Sequence, residues 1–185
     1  DTWIEEDLGD GDLTRFVLND RSASAHWVAK ENGTFCGGEL IKLIFHKIDT
    51  HVEIQLLIKD GQKFEKNQRL LELKGPSASL VAGERVTLNL AMHLSGIATY
   101  TSLLVTQLSG SNVKLADTRK TTPGLRIFEK YAFRCGGGIN HRMGLDDAAM
   151  LKENHIEWSK GIRESIKNLK TTIPWTKKII VEAET

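Results

Sequence analysis

The sequence predicts an α/β protein built from two parts, a small α+β sandwich followed by a β-α-β alternation. Residues 23–75 combine short extended stretches with one helical segment, which is the pattern of a small sandwich. Residues 113–184 pass from strand to helix to strand, as in an α/β barrel or a doubly wound sheet. Between them, residues 81–108 form a long apolar-rich segment that predicts a connecting helix.

Length and composition are those of a globular protein with one domain or two small ones. The chain has 185 residues, of which 40% are hydrophobic and 26% charged, with a formal net charge of +1. This near-neutral balance disfavours a general nucleic-acid binder, and no apolar run predicts a membrane span. The small polar run Ser109-Gly110-Ser111-Asn112 predicts the boundary between an N-terminal domain, 1–108, and a C-terminal domain, 109–185.

The two cysteines, Cys36 and Cys135, are far apart in the sequence and have no CxxC spacing. This separation favours reduced thiols and predicts neither a disulfide framework nor a zinc site. Asp1 opens no signal-peptide pattern. We therefore expect a cytoplasmic protein.

The elements of the predicted sandwich follow from turn residues and apolar spacing. An acidic amphipathic stretch at the start breaks at Gly9 and Gly11. Residues 23–34 are extended and contain Asn32-Gly33, a dipeptide typical of hairpin turns. The segments that follow are predicted as a helix at 39–47, a strand at 51–59 and a strand at 70–74.

The connecting segment, residues 81–108, is apolar on several faces, which predicts a helix that is buried on several sides. A break in this helix would fall at Ser95-Gly96. Arg85 lies near its predicted start, where the helix dipole opposes a positive charge. Arg85 is therefore either a functional cation or the partner of a carboxylate such as Glu84.

Beyond residue 112 the apolar pattern alternates between strand and helix. Strands are predicted at 113–116 and 178–184. A helix is predicted at 122–133, with Pro123 in its first turn, and an amphipathic helix at 156–170.

Positive charge is concentrated between Lys114 and His155, where eight Lys and Arg stand against five carboxylates. The carboxyl ends of strands are where parallel α/β folds hold ligands. Guanidinium and ammonium groups at such ends bind carboxylates and phosphates. We therefore predict a site for a substrate with two or more negative groups. Four cations lie at or beside predicted strand ends: Arg119, Lys120, Arg142 and Lys152.

Three further features accompany these cations. His141 directly precedes Arg142. A histidine beside one of these cations is more easily explained by contact with a ligand than by an ordinary role in a loop. The run Gly136-Gly137-Gly138 allows a close backbone approach to a ligand but is equally typical of a flexible turn. Glu184 finishes the last predicted strand and places a carboxylate among the cations.

Several sequence motifs follow one another along the whole chain. They are Glu6-Asp7-Leu8-Gly9 with Gly11-Asp12-Leu13-Thr14, Glu84-Arg85 with Ser95-Gly96-Ile97-Ala98-Thr99, Ala116-Asp117-Thr118-Arg119-Lys120-Thr121-Thr122-Pro123-Gly124-Leu125-Arg126, Cys135-Gly136-Gly137-Gly138 with Asn140-His141-Arg142, and Lys152-Glu153-Asn154-His155. In this order they resemble the quinolinate phosphoribosyltransferase family, also called carboxylating nicotinate-nucleotide pyrophosphorylases.

The resemblance implies an N-terminal α/β sandwich followed by an open α/β (TIM-like) barrel, of which only the first strands are expected here. It implies a homodimer or higher homo-oligomer. The implied reaction joins quinolinate to phosphoribosyl pyrophosphate with Mg²⁺ and releases nicotinate mononucleotide, pyrophosphate and CO₂. The family's later glycine-rich phosphate loops are expected beyond Thr185, which leaves open whether the 185-residue chain is active alone.

The resemblance also implies a role for each matching residue in binding quinolinate. Arg119, Arg142 and Lys152 would neutralise and orient its two carboxylates. His141 would assist them, and Thr118 is expected among the substrate-binding residues.

For the donor, the resemblance implies contacts to ribose and pyrophosphate. Lys120 would contact the phosphoribosyl donor and its leaving pyrophosphate. Glu184 would hold the ribose hydroxyls and support the positive charge that develops there. Arg85 would reach into the site of the neighbouring subunit.

Three alternatives remain at this point. The family's sister group, linked to molybdenum transport, shares the motifs and acts on an unknown ligand. A Schiff-base aldolase could use Lys120 or Lys152 as its nucleophile. An inactive dimerisation or binding module would keep the subunit contact without catalysis.

Overall fold

The computed structural model describes residues 1–18 and 21–183. Helices and strands are mixed along the chain, so the predicted α/β class is confirmed at this level. The chain divides into two compact units. The first comprises Asp1–Asp117 with Thr122–Ile139, and the second comprises Thr118–Thr121 with Asn140–Thr185.

The elements of each unit follow one another in chain order. In the first unit they are α1 (Thr2–Leu8), a 3-10 turn (Arg15–Val17), β1 (Ser22–Val28), β2 (Gly33–Thr34), α2 (Gly38–Ile48), β3 (Glu53–Leu56), β4 (Lys63–Phe64), β5 (Arg69–Pro76), α3 (Ser77–Gln107) and α4 (Arg126–Cys135). In the second unit they are β6 (Ala149–Leu151), α5 (Glu153–Trp158), α6 (Ile162–Thr172) and β7 (Ile179–Val181).

An antiparallel sheet with the strand order β1-β5-β3 frames the first unit, and β2 pairs separately with β4. In the central strand, Leu71 and Leu73 are buried and belong to the main hydrophobic core. Asn32-Gly33 does not close the expected hairpin, because β1 pairs with β5 and β2 with β4. The dipeptide therefore leads from one sheet to the other.

Helix α2 packs on the core because its apolar residues recur at helical spacing. Ile41 and Phe45 on one side of the helix are almost fully buried. At the start of the helix, Asp60 Oδ1 accepts hydrogen bonds from the N–H groups of Gly37 and Gly38, each at 3.0 Å. These bonds satisfy donors that have no partner within the helix.

Helix α3 is the long connecting helix, and it packs on α2, α4 and β5. A Cβ at Gly83 would lie 2.4 Å from the Phe45 ring, so the close contact with α2 requires glycine there. Among the described residues, α3 is long and apolar enough to cross a membrane, although the sequence analysis expected no such segment. Core helices pass the same test, and Leu94 and Ala98 of α3 lie in a hydrophobic cluster of this unit.

Helix α3 begins earlier than expected, which changes the position of Arg85 within the helix. The helix begins at Ser77, directly after Pro76, and it is unbroken at Ser95-Gly96. Arg85 is therefore in the third turn, where the helix dipole has little effect. In the part of the chain that the structure describes, Arg85 makes no ion pair with Glu84 or any other residue, and it is exposed.

The segment around the predicted strand at 113–116 and helix at 122–133 also differs from expectation. The strand is reduced to a single parallel bridge between Ala116 and Ile139. Helix α4 begins only at Arg126, so Pro123 lies in the preceding loop.

In the second unit, β6 and β7 are parallel neighbours that run from the Ala149–Ile179 pair to the Leu151–Val181 pair. The prediction of a single amphipathic helix at 156–170 is wrong. The segment is divided into α5 and α6, because the chain turns at Gly161 with a φ of 91°, a conformation that favours glycine.

Candidate active site

The parallel pairing of β6 and β7 brings two oppositely charged side chains together. Carboxyl ends of parallel strands lie at the same edge, so Lys152, which follows β6, is next to Glu182, which follows β7. Lys152 Nζ lies 2.7 Å from Glu182 Oε2, and the two side chains are 44% and 45% exposed. The Glu182 N–H also donates to the Leu151 carbonyl at 2.9 Å. The pair is therefore held at the strand ends and open to a ligand.

The ammonium group of Lys120 is a second positive charge that acts on Glu182. The pKa of Glu182 lies below its ordinary value because Lys152 donates a hydrogen bond to the carboxylate and both ammonium groups stabilise the anion. Glu182 is therefore ionised at neutral pH. Two ammonium groups around one carboxylate leave positive charge for an anionic substrate.

Lys120 lies in a short segment, Thr118–Thr121, which we call the cationic turn. The Lys120 N–H donates to Thr118 Oγ1 at 3.1 Å. The Thr121 N–H donates to the Arg119 carbonyl at 2.9 Å. These local bonds fold the segment tightly and present two consecutive cations, Arg119 and Lys120.

The loop that follows residue 140 contains Arg142. Arg142 Nη1 donates to the Ala148 carbonyl at 2.8 Å, and the Met143 N–H donates to Asp147 Oδ2 at 2.9 Å. The Arg142 N–H donates to His141 Nδ1 at 2.8 Å. Since Nδ1 accepts this bond, the neutral His141 ring has its proton on Nε2. Arg142 is thus positioned by its own loop.

Two consecutive residues of α4 hold the backbone on either side of the cationic turn. Lys130 pairs with Asp117, just before the turn, and both side chains are almost fully buried. Glu129 Oε2 accepts a hydrogen bond from the N–H of Thr122, just after the turn, at 3.1 Å. Glu129 Oε1 lies 2.8 Å from His93 Nε2 on α3. We refer to these contacts as the α4 anchor.

Glu129 is ionised within this anchor. Burial raises its pKa, but hydrogen bonds from Thr122 and His93 outweigh that effect and leave the pKa below its ordinary value.

Comparison with known proteins identifies the family of this chain. The family model for the quinolinate phosphoribosyl transferase N-terminal domain matches residues 12–95, and the family model for the C-terminal domain matches residues 97–185. A nicotinate-nucleotide pyrophosphorylase from Ehrlichia chaffeensis is 35% identical, with a TM-score of 0.93, covering 100% of this chain and 68% of its own. The chain belongs to the quinolinate phosphoribosyltransferase family.

Two further members of the quinolinate phosphoribosyltransferase family are more similar in sequence. A probable nicotinate-nucleotide pyrophosphorylase (carboxylating) from Bacillus subtilis is 47% identical, over 97% of this chain and 63% of the relative. NadC from Streptococcus pyogenes is 39% identical, with a TM-score of 0.95, over 100% of this chain and 66% of that structure. The chain thus spans somewhat less than two thirds of these relatives, and the family predicted from motifs is confirmed.

The residues that the quinolinate phosphoribosyltransferase resemblance predicted are distributed over both units. Arg85 lies in the first unit, on α3. Glu184 lies outside the described residues. The second unit contains Thr118, Arg119, Lys120, His141, Arg142 and Lys152.

Glu182 is a site residue that the sequence analysis missed. It follows β7 directly, whereas the predicted strand continued to residue 184. Alternate residues of a strand lie on the same side, so the pattern Glu182-Ala183-Glu184 offered two carboxylates for one position. A prediction that the strand ends at Val181 would have favoured Glu182 over Glu184 as the residue that follows it.

Proposed function

We propose that the protein containing this chain transfers the phosphoribosyl group of phosphoribosyl pyrophosphate to quinolinate and decarboxylates it, forming nicotinate mononucleotide. The observation that supports this best is the ion pair of Lys152 with Glu182 at the carboxyl ends of the parallel strands β6 and β7, together with the charge of Lys120 that acts on Glu182. We also propose a cytoplasmic location, a division at residues 1–108 and 109–185, and completion of the second part as an open α/β barrel.

Quinolinate binds to the cations of the second unit. Its two carboxylates need two or more positive partners, and Arg119 and Arg142 supply guanidinium forks that bind a carboxylate through two hydrogen bonds. Lys152 adds a point charge beside Glu182, which its Nζ contacts at 2.7 Å. An ammonium group has three protons, so protons remain for a ligand after this contact is made. His141 and Thr118, in the same unit, supply further polar contacts.

The donor binds with its leaving group toward Lys120. As the bond between the ribose and pyrophosphate breaks, the ammonium of Lys120 stabilises the charge that accumulates on the leaving oxygen. The ribose becomes oxocarbenium-like, and a carboxylate stabilises it. Glu182 is ionised for this purpose, and Glu184 is proposed for the same role. The ring nitrogen of quinolinate then captures the ribose, and the cationic ring accepts the electrons released on loss of the adjacent carboxylate as CO₂.

Mg²⁺ is proposed to bind with the donor. It prefers carboxylate and phosphate oxygens. Within residues 1–18 and 21–183, the cluster able to hold a metal through three side chains is Cys36, Asp60 and Cys135, whose thiols do not suit Mg²⁺. The fit therefore favours Mg²⁺ on the phosphates of the donor, where it neutralises their charge.

A homodimer or higher homo-oligomer is proposed, with Arg85 completing the site of the neighbouring subunit. Arg85 is exposed on α3, and Met92, Tyr100 and Leu103 of the same helix are exposed as well. Contiguous apolar surface of this kind is typical of a protein contact. A cation beside such a surface can reach a partner.

The assay is formation of nicotinate mononucleotide from quinolinate, phosphoribosyl pyrophosphate and Mg²⁺ by the full-length protein. Arg142→Ala should abolish most of the activity, because quinolinate then loses one of the two guanidinium groups that bind its carboxylates. Arg163→Ala is the matched control, since Arg163 is exposed on α6 and makes no described ion pair. A folded wild-type protein that forms no product would refute the proposal and favour the sister group linked to molybdenum transport, or an inactive binding module.

The aldolase alternative is disfavoured by the contact of Lys152. A Schiff-base lysine reacts as the free amine, whereas Lys152 is ion-paired with Glu182. Borohydride trapping of a keto substrate on Lys120 or Lys152 would reverse this preference.

A further inference from the structure

The two cysteines of the chain meet in the first unit, although 98 residues separate them in the sequence. Cys36 lies just before α2, and Cys135 is the last residue of α4. Their sulfur atoms and a carboxylate oxygen of Asp60 all lie within 4.8 Å of one another. Both thiols are free. The sequence spacing, which predicted neither a disulfide nor a metal site, did not reveal this contact.

The backbone holds both cysteines against α3. The Cys36 N–H donates to Ser95 Oγ at 3.0 Å, and the Ser95 hydroxyl lies 3.2 Å from the Cys36 carbonyl. Next to Cys135, a Cβ at Gly136 would lie 2.4 Å from the Ala98 carbonyl oxygen, so the chain there is packed directly on the helix. The two sulfur atoms therefore have little freedom to move apart.

The two thiols differ in exposure and in acidity. Cys36 is fully buried, whereas Cys135 is only half-buried. The thiol of Cys36 donates a hydrogen bond to Cys135, which lowers the pKa of Cys135 and raises that of Cys36. Burial and the charge of Asp60 raise the pKa of Cys135. The contacts with Cys36 and Tyr131 and the charge of Arg134 outweigh them, so the pKa of Cys135 lies below its ordinary value. The more reactive thiolate is thus on the sulfur that a small solute can reach.

Asp60 is already used as a hydrogen-bond acceptor by the protein. Its Oδ1 accepts the N–H groups of Gly37 and Gly38, and its Oδ2 accepts the Tyr131 hydroxyl at 2.8 Å. A metal ion at the cluster would have to compete with these three donors. The contacts therefore favour chemistry of the two sulfur atoms over metal binding.

We propose that Cys135 and Cys36 form a reversible modification site, at which a peroxide-class oxidant converts the thiol pair to an intramolecular disulfide. The Cys135 thiolate attacks one oxygen of the peroxide, the O–O bond breaks, and Cys135 becomes a sulfenic acid as hydroxide leaves. The sulfur of Cys36 then attacks the sulfenic sulfur, the S–O bond breaks, and the proton of Cys36 leaves with that oxygen as water. The two thiols lose two hydrogen atoms, and hydrogen peroxide is reduced to two molecules of water.

Hydrogen peroxide is the probe for this site. The reduced protein is treated with peroxide, unfolded, alkylated and mapped by peptide mass spectrometry. We expect a Cys36–Cys135 disulfide in place of two alkylated thiols, and dithiothreitol should restore both. Met143, which is exposed in the loop after residue 140, reports in the same digest that the oxidant reached the folded surface.

Single substitutions give a matched pair with opposite expectations. Cys36→Ser removes the resolving sulfur, so Cys135 should accumulate as a sulfenic acid that dimedone traps. Cys135→Ser leaves only the buried Cys36, which should remain a thiol. If either variant fails to fold, the wild-type result alone decides.

Three outcomes would overturn the proposal. One is survival of both thiols when Met143 is oxidised. Another is a disulfide that links two chains rather than Cys36 to Cys135. The third is uptake of one Zn²⁺ per chain that leaves both thiols resistant to peroxide, which would identify the cluster as a metal site.

Discussion

Replacing Lys130 by Met should lower the free energy of unfolding by about 3–5 kcal/mol. The Lys130 side chain is 1% exposed and that of its partner Asp117 is 7% exposed. Methionine preserves the length and most of the packing of lysine but removes its ammonium from beside a buried carboxylate. Because water reaches neither group, solvent screening does not reduce the cost, as it does for surface pairs.

Urea unfolding followed by tryptophan fluorescence measures this change, and two variants serve as controls. Lys152→Met breaks an ion pair whose side chains are 44% and 45% exposed, so it should cost only about 0–1 kcal/mol of stability. The double variant Lys130→Met with Asp117→Asn removes the buried charge as well. It should be more stable than the sum of the two single losses predicts.

A Lys130→Met protein within about 1 kcal/mol of the wild type would refute this reasoning, because the range is that of a buried carboxylate that has lost its ion-pair partner. Strict additivity in the double variant would refute it too. Either result would mean that Asp117 is solvated or held by its other contacts.

Three further predictions concern the proposed site and the α4 anchor. Arg119→Ala in the full-length enzyme should cost about 1.5–3 kcal/mol of quinolinate binding, seen as a higher KM, and nicotinate should be a poor substrate; efficient turnover of nicotinate would contradict a dicarboxylate site. Mixing Arg85→Ala with Lys120→Ala protein should restore activity in heterodimers, and no recovery on subunit exchange would place Arg85 in the site of its own subunit. The pKa of Glu129 is depressed below its ordinary value of 4.5, so its contribution to stability is present above that pH and is lost as pH falls through the lower folded value. The stability difference between the wild type and Glu129→Gln should therefore shrink on acidification, as urea titrations at several pH values would reveal, and a constant difference would contradict the anchor.

The local elements with a strong apolar period were predictable from the sequence. The helix expected at 39–47 is found at Gly38–Ile48, because both its apolar spacing and its flanking glycines are local signals. The strand expected at 70–74 is found within β5, Arg69–Pro76, for the same reason. Strand ends could also be located well enough to predict that Lys152 lies at one of them.

The remaining features depend on contacts between distant residues. Pairing of β5 with both β1 and β3 cannot be derived from the hairpin signal of Asn32-Gly33, which concerns neighbours in the chain. Spacing likewise says nothing about the approach of Cys36 to Cys135, which depends on how α4 packs on α3. The break at Gly161 was missed because the apolar period continues on both sides of it.

The α4 anchor separates the support of the cationic turn from its chemistry. Asp117 and Thr122 are held by Lys130 and Glu129, none of which belongs to Thr118–Thr121. The residues of the turn can therefore be exchanged, in evolution or by design, while the chain enters and leaves it at the same two fixed points. New acceptor specificities can then be sought by varying Arg119 within the turn, with Lys120 and the helix that supports the turn left unchanged.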